Sequence, residues 1–238
     1  MSAANSLLYR VIYAAHANGT HHKLALDALR HLTHPQADKL TRLVLANVEA
    51  YLKGSKDPDN EFKDFQNHVL HVGDAYWGGA PEKTVAWYEH TVDALRAGRW
   101  EDAIYAAGVT SHYFTDPIHP FHTAQSEAEN NIHRAVEWSI NRSYDALVAE
   151  MRTYALPEPV PPEGGETWLA DLVIRGAETS HAYYETLIAH YDVRRGVVTP
   201  EEGLDPVARS VVGQLIAYAG RAFALVLDRA LQEADVEI

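Results

Sequence analysis

Residues 111–138 read SHYFTDPIHPFHTAQSEAENNIHRAVEW, and this stretch constrains the fold more than any other. His112 and Asp116 stand four residues apart, as do His133 and Glu137. On a helix such pairs share one face, with Cβ atoms about 5–6 Å apart. The residue before a proline is pushed out of α geometry, so a first helix must end at Asp116, before Pro117. Pro117 and Pro120 stiffen the connection that presents His122, and a second helix must follow. Tyr105, Val109, His112 and Asp116 form one column, and His133 and Glu137 continue into Ile140, Tyr144 and Leu147. Both pairs are therefore expected to point inward. A buried carboxylate without a partner is costly, and a cation held between histidine and carboxylate removes that cost.

Elsewhere the 3.6-residue period dominates, and no segment shows the alternation of a half-buried sheet. Leu24, Ala25, Ala28, Leu29 and Leu32 form one stripe that Pro35 ends. Further helices are expected over 37–52, from Pro81 to Gly98, over 100–116, from Ser126 to about Tyr154, over 168–190 and over 205–234. Ser126 and Glu129 are spaced as a capping box. LPEPVPPEGGE, at 156–166, is a loop by composition. The expectation is an all-α fold of about seven to nine helices, one compact domain over residues 1–238, with a metal cluster in a cleft between helices.

Composition narrows the chemistry. Cysteine is absent, which excludes disulfides, thiol catalysis and sulfur-based metal sites. Fourteen histidines are present, about twice ordinary usage, and histidine is the commonest metal ligand. A histidine and carboxylate ligand set suits catalytic zinc better than structural zinc. The formal charge of −13 argues against a broad basic groove for nucleic acid. No run of eighteen apolar residues is present, so no transmembrane segment is expected. The first residues lack the pattern of a secretory signal, from which a cytoplasmic location is expected.

Single pairs carry little weight, because a His/Asp pair at this spacing is usually a solvated contact. The weight comes from two inward pairs with His122 between them. Upstream, His21 opens the first stripe and faces the core. Asp59 follows a proline within GSKDPD, a sequence common in turns, and His68 and His71 lie beyond it.

Taken in order, these motifs resemble those of the zinc-dependent phospholipase C and single-strand-specific nuclease superfamily. The resemblance rests on H-Y-x-x-D (His112, Tyr113, Asp116), P-x-H (Pro120, His122) and H-x-x-x-E (His133, Glu137). It extends to Thr20-His21, to GSKDPD ending at Asp59, and to His71-Val-Gly-Asp74. It implies an all-α fold with a trinuclear zinc site. One zinc would sit on Asp59, His71, His112 and Asp116, and a second on His122, His133 and Glu137. Asp116 would bridge to a third that also takes His21. His68 is the rival to His71, or supports another ligand from outside. The family's third zinc also uses an N-terminal tryptophan. Here the first tryptophan is Trp77, and Leu8 stands thirteen residues before His21. Two or three zinc ions are therefore expected, with His16 the candidate substitute.

The activity implied is hydrolysis of a phosphate ester by a metal-bound hydroxide, with Asp59 as general base or water-positioner. A phospholipid headgroup or small phosphodiester is the favoured substrate. A single-strand nuclease or nucleotidase, or a non-catalytic metal-binding module, is the alternative. Phe65, Tyr76, Trp77 and Tyr113, near the motifs, are read as core rather than as a choline cradle.

Overall fold

A computed structural model describes residues 2–151, 159 and 164–238. Most of the proline-rich 156–166 stretch, and residues 152–154 of the expected 126–154 helix, lie outside the described residues. Among the described residues there are twelve α-helices and no strand beyond two isolated bridges, so the fold is all-α. They are α1 (Leu7–His16), α2 (Thr20–Ala28), α3 (Ala37–Ala46), α4 (Val48–Gly54), α5 (Ala80–Arg96), α6 (Trp100–Thr115), α7 (Glu127–Asn130), α8 (His133–Met151), α9 (Trp168–His181), α10 (Tyr184–Ala189), α11 (Val193–Gly196) and α12 (Pro206–Ala234).

The count exceeds the expected seven to nine because three expected helices are interrupted and because α1 and α11 lie outside the segments placed from sequence. The 37–52 helix breaks at Asn47, whose side chain donates to the Leu43 carbonyl instead of pointing to solvent. The 126–154 helix breaks after Asn130, and the 168–190 helix after His181. Periodicity persists across such breaks, so it does not reveal them. Asparagine competes with the backbone for hydrogen bonds and favours helix ends.

Helix α6 runs through the centre. Every residue from Ala103 to Thr115 except Tyr105 is buried, and the helix packs against α2, α4, α5 and α12. Its crossing with α4 is close because both contact residues are glycine. A Cβ on Gly108 would lie 2.2 Å from the Tyr51 carbonyl oxygen, and one on Gly54 2.2 Å from that of Tyr105. This approach places the chain after Gly54 against the C-terminal turn of α6.

Helix α12 closes the other side. Asp205 accepts from the Val207 and Ala208 amides at 2.8 and 2.9 Å, and Pro206 occupies the first turn. This cap satisfies donors that a helix start leaves free. By length and composition alone α12 is apolar enough to cross a membrane, but 67% of its most apolar window is buried against the rest of the protein. An uninterrupted-run criterion passes over it because Arg221 and Gln214 fall inside.

Candidate metal centre

The site gathers where α6 ends. His112 lies in its last turn and Asp116 caps it, both buried. His21 enters from the first turn of α2, Asp59 from a turn at Pro58–Phe62, and His68 from a turn at Phe65–His68. Pro117 and Pro120 start two short turns that carry the chain to His122, and His133 begins α8 with Glu137 one turn on.

Three groups of ligating atoms converge: His21, Asp59 and His112; His68, His112 and Asp116; His122, His133 and Glu137. In the middle group His68 Nδ1 lies 3.0 Å from both Asp116 Oδ2 and His112 Nε2. His112 Nε2 is 3.2 Å from Asp116 Oδ2, and Asp59 Oδ1 is 3.6 Å from each of those two ring nitrogens. A tetrahedral zinc with bonds of about 2.0–2.1 Å sets its ligand atoms about 3.3–3.4 Å apart. The donors of Asp59 and Asp116 thus each lie at about that spacing from His68 Nδ1 and His112 Nε2. Asp116 turns its second oxygen, Oδ1, to His21 Nε2 at 3.3 Å. In the last group Glu137 Oε1 lies 3.1 Å from His133 Nε2 and 3.5 Å from His122 Nε2.

Three of these rings are oriented by the protein. His112 donates from Nδ1 to the Ser55 carbonyl at 2.9 Å, and His122 from Nδ1 to the His68 carbonyl at 3.1 Å. His133 Nδ1 is held by the buried Glu129 carboxylate. Each ring thus turns Nε2 to its cluster, and such outer contacts fix a metal-binding tautomer. His68 is reversed. It presents Nδ1, and its buried Nε2 has no hydrogen-bond partner although Asp64 Oδ1 is 3.4 Å away.

The electrostatics favour a cation. Burial alone would raise Asp116, but the charges of His112 and His122 hold its carboxyl well below the usual range. Glu137 is likewise held low against burial, by hydrogen bonds with His122 and His133. Burial would lower His122, yet Asp116 and then Glu137 lift it to about 9. Burial, with His112 close by, lowers His21 to about 3 and keeps it neutral. A site that pulls protons onto buried imidazoles offers the same attraction to a divalent ion, and its nitrogen and oxygen donors fit zinc.

Several placements differ from the sequence reading. His71 joins none of the three groups. Its backbone pairs with Trp77 and its ring packs on the Trp77 indole, while His68, three residues earlier, takes the expected place. His16 ends α1 exposed and joins no group, and Leu8 is exposed as well. Only the first helical pair points fully inward. Glu137 stands half-exposed at the mouth, because it lies on the cleft side of α8, whose core-facing residues are Val136, Ser139 and Ile140. Tyr113 is core, but Phe65, Tyr76 and Trp77 are exposed. The sequence reading also missed Glu129, which precedes His133 by four residues and had been given only a capping role. Ser126 does cap the Glu129 amide at 3.2 Å.

The centre opens on a cavity of 490 Å³ lined by His21, Asp59, Asp116, His122 and Glu137 on its polar part. The family signature described as zinc dependent phospholipase C matches residues 20–164. The chain belongs to that family. A comparison with curated proteins gave no match. Among solved structures this zinc-dependent phospholipase C family member is similar to the alpha toxin of Clostridium absonum, at 16% identity and a TM-score of 0.64. The alignment covers 92% of this chain and 66% of the toxin. It is also similar to the alpha-toxin of an avian Clostridium perfringens strain, at 13% identity and a TM-score of 0.61, over 92% of this chain and 65% of that one. The chain thus spans slightly under two thirds of the length of either toxin, and what it shares with them is the helical fold.

Proposed function

We propose that the chain is a zinc-dependent phospholipase C-like hydrolase that cleaves a phosphodiester. The observation that carries this reading is the opening of three converging ligand groups on one cleft with an apolar lining. Leu24, Ile118, Ile140, Val212, Leu215 and Ile216 line the same cavity as Asp59, Asp116 and Glu137. That lining suits a glyceride better than a nucleotide base, which needs polar partners along its edge.

Asp59, His68, His112 and Asp116 would hold one zinc, and His122, His133 and Glu137 a second. His21, with the free oxygen of Asp116, supplies donors for a third. Bound there, the ions would supply positive charge to phosphate oxygens and lower the pKa of a coordinated water. In the reaction, water oxygen bonds to phosphorus, the bond from phosphorus to the glyceride oxygen breaks, and the water's proton ends on that oxygen. Asp59 would orient the water and take its proton. It lies at the cleft, and against the pull of burial the charge of His112 and the hydrogen bond from Lys56 keep it ionised. Lys56 holds its Oδ2 at 2.7 Å, which leaves Oδ1 directed to the cluster.

The test is a zinc count on purified protein, followed by assays with a short-chain phosphatidyl ester, single-stranded DNA and a phosphomonoester. Two or three zinc ions per chain with release of diacylglycerol is the expected result. Cleavage of DNA alone would assign the site to a nuclease. Zinc with no hydrolysis of any substrate would make the chain a binding module.

A further inference from the structure

The charges that line the cleft are unevenly used. Among the described residues its only lining carboxylates are Asp59, Asp116 and Glu137, and all three belong to the ligand groups. The other charged lining residues are Lys56 and Arg134, both cationic, in a chain whose formal charge is −13. Lys56 is tied to Asp59. Arg134 is exposed, sits between His133 and Glu137 on α8, and makes no ion pair or hydrogen bond among the described residues. A quaternary ammonium entering this cleft would meet two cations and no spare carboxylate, and like charges brought together in a partly buried site repel. A guanidinium matches carboxylate and phosphate by paired hydrogen bonds.

We propose that the cleft takes a phosphodiester whose headgroup carries a second anionic group, a carboxylate or a phosphate, and that Arg134 binds that group. This deepens the hydrolase reading above and rests on it. Trp138, one turn after Arg134, and Phe65 also line the cavity and wall the headgroup laterally.

The experiment compares the zinc-loaded wild type with R134E and R134K. The substrates are dihexanoyl phosphatidylserine, phosphatidylinositol 4-phosphate and phosphatidylcholine, all used below their micelle concentrations. Titration calorimetry with phosphoserine and phosphocholine runs in parallel. The wild type is expected to prefer one or both anionic headgroups by kcat/KM, and the preferred one tells carboxylate from phosphate. R134E is expected to lower the anionic-to-choline ratio about tenfold, mainly through KM, the loss of one charge-assisted contact. R134K should retain part of the ratio. A wild type that prefers phosphatidylcholine, or an R134E variant that slows all three substrates equally, overturns the proposal. If no ester is cleaved, the hydrolase reading fails and calorimetry decides this inference alone. Tighter phosphoserine binding that is lost in R134E sustains it, and equal binding of the two headgroups overturns it.

Discussion

His112 and Ser55 fix each other across two helices: the imidazole donates from Nδ1 to the Ser55 carbonyl at 2.9 Å, and Nε2 is left facing Asp59, His68 and Asp116. Ser55 reaches that position because α4 and α6 touch through Gly54 and Gly108.

The substitution Gly108→Ala should therefore damage stability and site together. The added methyl would overlap the Tyr51 carbonyl, a backbone atom that cannot rotate away. The expected cost is about 1–3 kcal/mol in urea unfolding, with weaker zinc retention on dialysis. Wild-type values for both would show that the two helices part easily.

His68 and His71 are separable by mutation. Replacing His68 by Ala should remove a zinc equivalent measured by plasma mass spectrometry and reduce hydrolysis at least about a hundredfold, since a ligand is worth more than an outer contact. Replacing His71 by Ala should leave the zinc count intact. The reverse pattern would return His71 to the ligand set.

Glu129 touches no expected ion, only His133 Nδ1. The variant Glu129→Gln should weaken zinc binding by about 10–100-fold, the usual cost of losing a ligand's orienting partner. Competition with a chromogenic chelator measures it, and an unchanged affinity would mean that the Glu129 contact does not set the His133 ring.

The metal-free His122 carries its proton to about pH 9, above its unfolded value. A raised pKa contributes stability that is complete below the unfolded value near 6.5 and is lost as pH climbs through 9. Zinc must displace that proton, so its apparent affinity should rise up to about tenfold per pH unit between 6.5 and 9. The zinc-induced gain in Tm should grow over the same range. A flat profile would mean that His122 is neutral without metal.

What the sequence made legible was whatever local spacing controls. The i,i+4 pairs, the proline stop at Asp116 and the Ser126 cap each depend on residues within one or two turns. That His68 rather than His71 joins His112 and Asp116 depends on something else, the pairing of His71 with Trp77, which packs the His71 ring on the Trp77 indole. Glu129 was hidden for a related reason. Its capping-box spacing is real, but its carboxylate turns toward His133 rather than back to Ser126. Arg134 reads as an ordinary surface residue until the cavity beside it is seen.

The amides of Leu70 and Val72 donate to the carbonyls of His122 and Thr123, each at 2.9 Å, and the His122 ring donates to the His68 carbonyl. The strip that ends one ligand group is thereby laced to the turn that starts another. The two ligand groups are one mechanical assembly, so an ion bound at either should stiffen the frame of its neighbour. Titration of the stripped protein should then pass directly from empty to doubly loaded, and a catalyst redesigned at one position would have to be rebuilt at both.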